Sequence, residues 1–167
     1  MNHSEQKTAS SANDSKIVSD IHEMFERYGP TFVDLVVGKR SDMNALLEFY
    51  GAPLRFVGAT FHMVMKDDAA IIGPEGMGGE IDRLRQANFA ASTLDGCTVR
   101  VLNDRAALVD AVWLRRDTKG ALLARFAVIY VVALTAEGWR ITSAVNTVEG
   151  TSTGKPNNQT NGSRRKQ

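Results

Sequence analysis

The sequence predicts an α+β domain, with helices first and a mainly antiparallel sheet after them, on three observations. Segments with apolar residues at helical spacing dominate the chain as far as Ser92, near-continuous strand patterns run from Cys97 onward, and two turn segments divide those strands. The chain has 167 residues, 43% apolar and 23% charged, which suits one compact domain that needs neither metal nor disulfide to hold it. Residues 1–15 and 149–167 are rich in Ser, Asn, Thr, Gly and charged groups. They carry too little apolar area to offset ordering, so a disordered tail at 1–15 and a disordered basic tail at 149–167 are expected to flank a domain at 16–148.

The elements follow in order. Ile17, Ile21, Met24, Phe25 and Tyr28 make one apolar stripe on a first helix, which Asp14 or Ser15 caps and Gly29-Pro30 interrupts. Residues 31–37 form a second short helical piece, and Ser41 caps a further helix whose buried face is Met43, Leu46, Leu47 and Tyr50, ended by Gly51. Residues 53–57 and 60–65 read as short strands; in the second, Phe61, Met63 and Met65 alternate with Thr60, His62 and Val64. A glycine-rich loop at 73–79 leads into a helix carried by Ile81, Leu84, Asn88 and Phe89. Strands at 97–102, 106–116, 121–135 and 139–147 complete the domain, the last three joined by hairpin turns at 117–120 and 136–138. Both faces of these strands are largely apolar, so one face covers the helices and the other is expected to meet a second copy in a homodimer.

Charge and composition exclude several classes. Twenty basic against 19 acidic residues leave a net charge of +1, and residues 17–148 alone hold 14 basic and 16 acidic, so no nucleic-acid partner is expected. The longest apolar run, 126–134, falls far short of the roughly 20 residues of a membrane-spanning helix. The polar N-terminus lacks a secretory signal, so no membrane contact and a cytoplasmic location are expected. Cys97 is the single cysteine. The His22-Glu23 pair with Glu26 lacks the second histidine of a zinc helix, and the 73–79 loop lacks the Gly-Lys-Ser/Thr ending of a phosphate loop, so no metal or cofactor is expected.

Several stretches carry a family likeness: Asn103-Asp104-Arg105 running into Val109, Val112-Trp113, the 117–120 turn, Arg125-Phe126, and Glu137-Gly138-Trp139-Arg140-Ile141. With Leu47-Glu48-Phe49-Tyr50, Pro53-Leu54 and Arg83-Leu84-Arg85, the chain resembles the nuclear transport factor two-like (SnoaL-like, polyketide-cyclase-like) superfamily over residues 17–148, in particular a subgroup of uncharacterised small bacterial proteins. The resemblance implies a cystatin-like cone, with N-terminal helices packed on a strongly curved sheet around a pocket. Members include cofactor-free isomerases, dehydratases and hydrolases as well as noncatalytic binding and assembly domains, so the resemblance leaves the chemistry open.

The polar groups of such a cone are the candidates. Asp110 interrupts an apolar strand, and if residues 117 and 120 pair, it lies opposite residue 127 with Arg125 diagonal to it. An Asp110–Arg125 pair would be either a base with an orienting guanidinium or an ion pair on the outer face. His62 is the candidate proton-transfer group near neutrality. Tyr28, Tyr50 and Tyr130 are candidate hydrogen-bond donors, Asp34 a carboxylate from the second helical piece, and Phe56 part of the wall. The stretch Phe56-Val57-Gly58 holds no acid where the resemblance implies one for ketosteroid isomerases, which disfavours that chemistry. A small apolar ligand is expected, with lyase, isomerase or hydrolase activity if Asp110, His62 and Arg125 converge on one cavity. A noncatalytic binding or dimerisation module is expected if they do not.

Overall fold

The computed structural model describes the backbone of residues 3–147 and the side chains of residues 12–147. Helix α1 spans His3–Val36, so it reaches back through the segment expected as a tail; the tail expected at 149–167 lies outside the described residues. The break expected at Gly29-Pro30 is absent. Pro30 removes one helical hydrogen bond at a cost of about 3 kcal/mol. Phe32, Leu35 and Val36 continue the stripe of Ile21, Phe25 and Tyr28 and are buried. Burial at roughly 1.5–3 kcal/mol for each such side chain outweighs the proline. Arg85 closes the helix end, its Nε donating to the Val36 carbonyl at 3.0 Å and its Nη2 to the Leu35 carbonyl at 2.8 Å.

A six-stranded sheet follows, made of β1 (Tyr50–Val57), β2 (His62–Met65), β3 (Phe89–Asn103), β4 (Ala106–Asp117), β5 (Leu122–Thr135) and β6 (Gly138–Thr147) in the order β2-β1-β6-β5-β4-β3. Only β1 and β6 run parallel, so the fold is α+β with a mainly antiparallel sheet. Register shifts within β3–β4, β4–β5 and β5–β6 mark bulges, which bend strands and increase their twist. The inner face presents Ala107, Val109, Ala111, Trp113, Val128, Tyr130, Val132 and Ala144 to α1, all of them buried. The outer face carries Asp110, Arg125 and apolar neighbours.

Three expectations are corrected. Residues 43–48 form a 3₁₀ turn (Met43–Glu48) capped by Asp42 rather than Ser41, and Tyr50 belongs to β1 because its strand pairing with β6 claims it. Helix α3 (Met77–Gln86) stops short: Asn88 adopts φ 55°, and Phe89 opens β3 eight residues before Cys97, its ring 6.4 Å from Phe32. The glycine-rich segment is a tight junction between α2 (Asp68–Ile72) and α3. A Cβ at Gly79 would run into the Pro74 carbonyl oxygen, so glycine there permits close backbone approach. Asp67 caps α2, accepting from the Ala70 amide at 2.8 Å. Among the described residues no helix is long and apolar enough to cross a membrane.

Candidate binding site

Between α1, α3 and the inner face lies a cavity of about 410 Å³, a size that accommodates small organic ligands. Its walls are aromatic and apolar, with Phe32, Phe56, Met63, Trp113 and Phe126 among them. Three tyrosines also line it, because the helical stripe of α1 aims Tyr28 inward and strand alternation does the same for Tyr50 and Tyr130. The hydroxyls of Tyr28 and Tyr50 are 2.6 Å apart, and the Trp113 indole Nε1 donates to the Tyr130 hydroxyl at 3.0 Å. Three O–H groups and one indole N–H offer four donor hydrogens, and these two bonds use two of them. Two hydroxyl hydrogens therefore have no protein acceptor among the described residues. Burial pushes all three phenols above their ordinary value, so they remain protonated donors at neutral pH.

One ion pair enters the same cavity. On α3, Glu80 shares the face of Met77, Ile81 and Leu84, all buried, so the helix carries its carboxylate inward. On β4, the alternation that buries Ala111 and Trp113 turns Arg115 the same way. Arg115 Nη1 donates to Glu80 Oε1 at 2.6 Å, while Arg83 Nε and Nη2 donate to the same carboxylate at 2.8 and 2.9 Å. The Arg115 side chain is only 14% exposed, and its guanidinium carbon lies 4.6 Å from the centre of the Phe126 ring. Its buried Nε has no hydrogen-bond partner, and the ring face supplies a cation–π contact in its place. Burial alone would raise the Glu80 carboxyl, but the Arg83 hydrogen bonds and the Arg115 charge outweigh it and hold the group below its ordinary value.

The sequence pattern of the NTF2-like protein (DUF6841) family matches residues 19–149, most of the chain. The protein belongs to this family. Among solved structures, an NTF2-like protein with a cystatin-like fold from Novosphingobium aromaticivorans superposes with a TM-score of 0.66 at 22% identity, covering 89% of this chain and 92% of that one. An NTF2-like superfamily protein from Salmonella enterica gives 0.58 at 21% identity, covering 84% of this chain and 99% of that one. A protein of unknown function with a cystatin-like fold from Nostoc punctiforme gives 0.56 at 12%, covering 79% and 90%. At these identities the likeness shows the fold alone. No curated protein matches the chain.

In this NTF2-like protein, Tyr28, Phe56 and Tyr130 line the cavity as their positions suggest, and Tyr50 joins them. Asp34 is half-buried on α1 and is not part of the lining. Asp110, Arg125 and His62 are exposed on the outer face, where strand parity sets them. The expected Asp110–Arg125 pairing fails because the register is shifted by two residues: the turn is one residue longer than expected, the Asp117 amide donating to the Ala121 carbonyl, and a bulge at Arg115/Arg116 adds the second, so Asp110 pairs with Ile129 and Arg125 with Leu114. Four residues along β4 at about 3.3 Å each set the two side chains some 13 Å apart. Arg125 Nη2 instead lies 3.6 Å from Asp95 Oδ2. The three groups therefore do not converge on the cavity; Glu80 and Arg115 do. Both were legible in part. Glu80 sits one turn from Met77 and Leu84 on an amphipathic face that the loop reading of 73–79 concealed, and Arg115 keeps the parity of Trp113 although Arg115-Arg116 reads as a polar strand end.

Burial and the nearby Asp110 carboxylate raise the Cys97 thiol, which keeps it protonated and a poor nucleophile. Among the described residues no three His, Cys, Asp or Glu side chains cluster to hold a metal ion.

Proposed function

We propose that this NTF2-like protein binds a small, flat, mostly apolar molecule whose acceptor oxygen takes the two unclaimed hydroxyl hydrogens of the tyrosine cluster. The observation that carries this reading is the surplus of donors in an aromatic cavity: a buried donor without an acceptor costs about 1–3 kcal/mol, which a ligand oxygen recovers. The same geometry favours binding over proton abstraction. Glu80 is the carboxylate at the cavity, and two guanidiniums donate three hydrogen bonds to it and lower its basicity. Titration calorimetry with 2-acetylnaphthalene, a flat ketone, is expected to give saturable binding. Tyr130→Phe removes one donor and is expected to weaken binding about tenfold, near 1.4 kcal/mol. No saturation with this ketone, its amide analogue 2-naphthamide or its carboxylate analogue 2-naphthoate would sink the reading.

A homodimer through the outer face is the assembly we propose, supported by the apolar row Val57, Val145 and Ile129 that crosses β1, β6 and β5 on that side. Sedimentation equilibrium is expected to find a dimer for the wild type and a monomer for Val145→Arg, which sets a charge in the middle of the row, between Val57 and Ile129. A wild-type monomer at micromolar concentration would overturn the assembly and leave the cavity reading intact.

A further inference from the structure

We infer that the acceptor this cavity takes is a carboxylate, so that its ligands are planar aromatic or similarly flat apolar carboxylic acids. The inference rests on the binding reading above and narrows its ligand class. Donors and charge both point the same way. A guanidinium carries five N–H donors, and of those on Arg115 one bonds Glu80 through Nη1 while Nε is buried against protein. The Nη2 group has no protein acceptor among the described residues. Together with the two unclaimed tyrosine hydrogens, the cavity holds several free donors and one carboxylate, whose oxygens already accept three bonds.

The charge count adds to this. Arg83 and Arg115 set two positive charges against the single negative charge of Glu80, leaving one uncompensated positive charge beside an apolar cavity. Arg83 is largely exposed and screened by water, whereas the Arg115 cation is largely withdrawn from it and shares its one anion with Arg83, so its charge is incompletely offset where it meets the cavity. Its field reaches the tyrosine cluster, since its charge lowers the titration of Tyr28, Tyr50 and Tyr130 alike, against the larger effect of their burial. The hydroxyls and the guanidinium thus face one space. A carboxylate is an acceptor-only monoanion that matches both the donor surplus and the single excess charge, and it accepts from a guanidinium along a planar edge. A neutral ketone satisfies the hydroxyls and leaves the charge; an ammonium ion is repelled and accepts nothing. A phosphate dianion carries more charge than the site offsets. The aromatic walls of Trp113, Phe126 and Phe56 then hold the flat apolar body behind the carboxylate.

Glu80 competes with the ligand for Arg115, and that competition makes the inference testable in both directions. The experiment is titration calorimetry at pH 7 on the full chain, comparing 2-naphthoate, 2-naphthamide and 2-acetylnaphthalene, which share one ring system. On the wild type, naphthoate is expected to bind at least tenfold more tightly than either neutral probe. Arg115→Met keeps an apolar stem against Phe126 and is expected to erase that preference. Glu80→Gln removes the competing negative charge and leaves one neutral acceptor, and is expected to widen it. If Arg115→Met does not fold, the wild-type series and Glu80→Gln still decide. Equal or tighter binding of the ketone, a preference that survives Arg115→Met, or a preference that narrows in Glu80→Gln would each overturn the carboxylate assignment while leaving the cavity a binding site. Failure of all three probes to bind the wild type would overturn the binding reading itself, and the assignment with it.

Discussion

Replacing Glu80 by alanine is expected to cost about 3 kcal/mol at neutral pH, the low end of what breaking a buried ion pair costs, because Glu80 retains 29% of its side-chain exposure. The loss has little to do with packing. Arg115 is held over Phe126 and within 5.5 Å of the Phe32 ring, so it cannot swing into water when its partner disappears, and the variant leaves a buried cation with no anion. Glu80→Gln is expected to cost less than half as much, since the amide oxygen still accepts one hydrogen bond. The pH dependence identifies the source. The folded carboxyl titrates below its ordinary value of 4.5, so its stabilising contribution is complete above that value and is lost as pH falls through the lower folded one. Urea denaturation of wild type and Glu80→Ala should therefore show a wide gap at pH 7 and a narrower one at pH 3. A gap of constant width would mean that the carboxylate charge is not what stabilises the pair.

How much of this site the sequence discloses depends on which physical signal each residue leaves. Tyr28 falls on a helical stripe, so its inward aim follows from period alone; Tyr130 stands in a strand that is apolar on both faces, so its alternate burial with Val128 and Val132 follows from which face α1 covers. Asp110 and Arg125 depended on the pairing between two strands, and a turn one residue longer than expected together with a bulge at Arg115/Arg116 separated them, because a bulge leaves no reliable mark in a run such as Trp-Leu-Arg-Arg-Asp. Glu80 follows glycines whose usual meaning is a loop; here they let α2 and α3 touch, and α3 begins among them. Pro30 shows the opposite case, a strong local signal for a break that burial of Phe32 and Leu35 overrides. Local pattern thus carries the elements and their faces. The convergence of Glu80 and Arg115 is a tertiary fact, set by how α3 docks against β4.

Trp113→Ala is expected to cost about 3 kcal/mol, within the 3–5 kcal/mol typical of removing a buried tryptophan. The indole is 3% exposed, lies edge-on to Tyr28 at 5.7 Å between ring centres, and packs so closely on α1 that a Cβ added at Gly29 would lie 3.5 Å from it. The low end of the range applies because the ring borders an existing cavity. Its deletion enlarges that space rather than opening a new void, so the lost transfer energy dominates and the cavity penalty stays small. Trp113→Phe keeps most of the apolar area and is expected to cost about 1–2 kcal/mol, part of which is the lost indole donor to Tyr130. That part can be isolated by a double-mutant cycle between Trp113→Phe and Tyr130→Phe, read by urea denaturation, with an expected coupling of about 1 kcal/mol. The cycle bears on ligand binding as well as stability. By donating to the Tyr130 oxygen, the indole occupies one of its lone pairs and turns the hydroxyl hydrogen toward other acceptors, so coupling in stability should reappear as coupling in the affinity for 2-acetylnaphthalene. Coupling in stability without coupling in affinity would mean that Trp113 supports the wall but does not orient the donor.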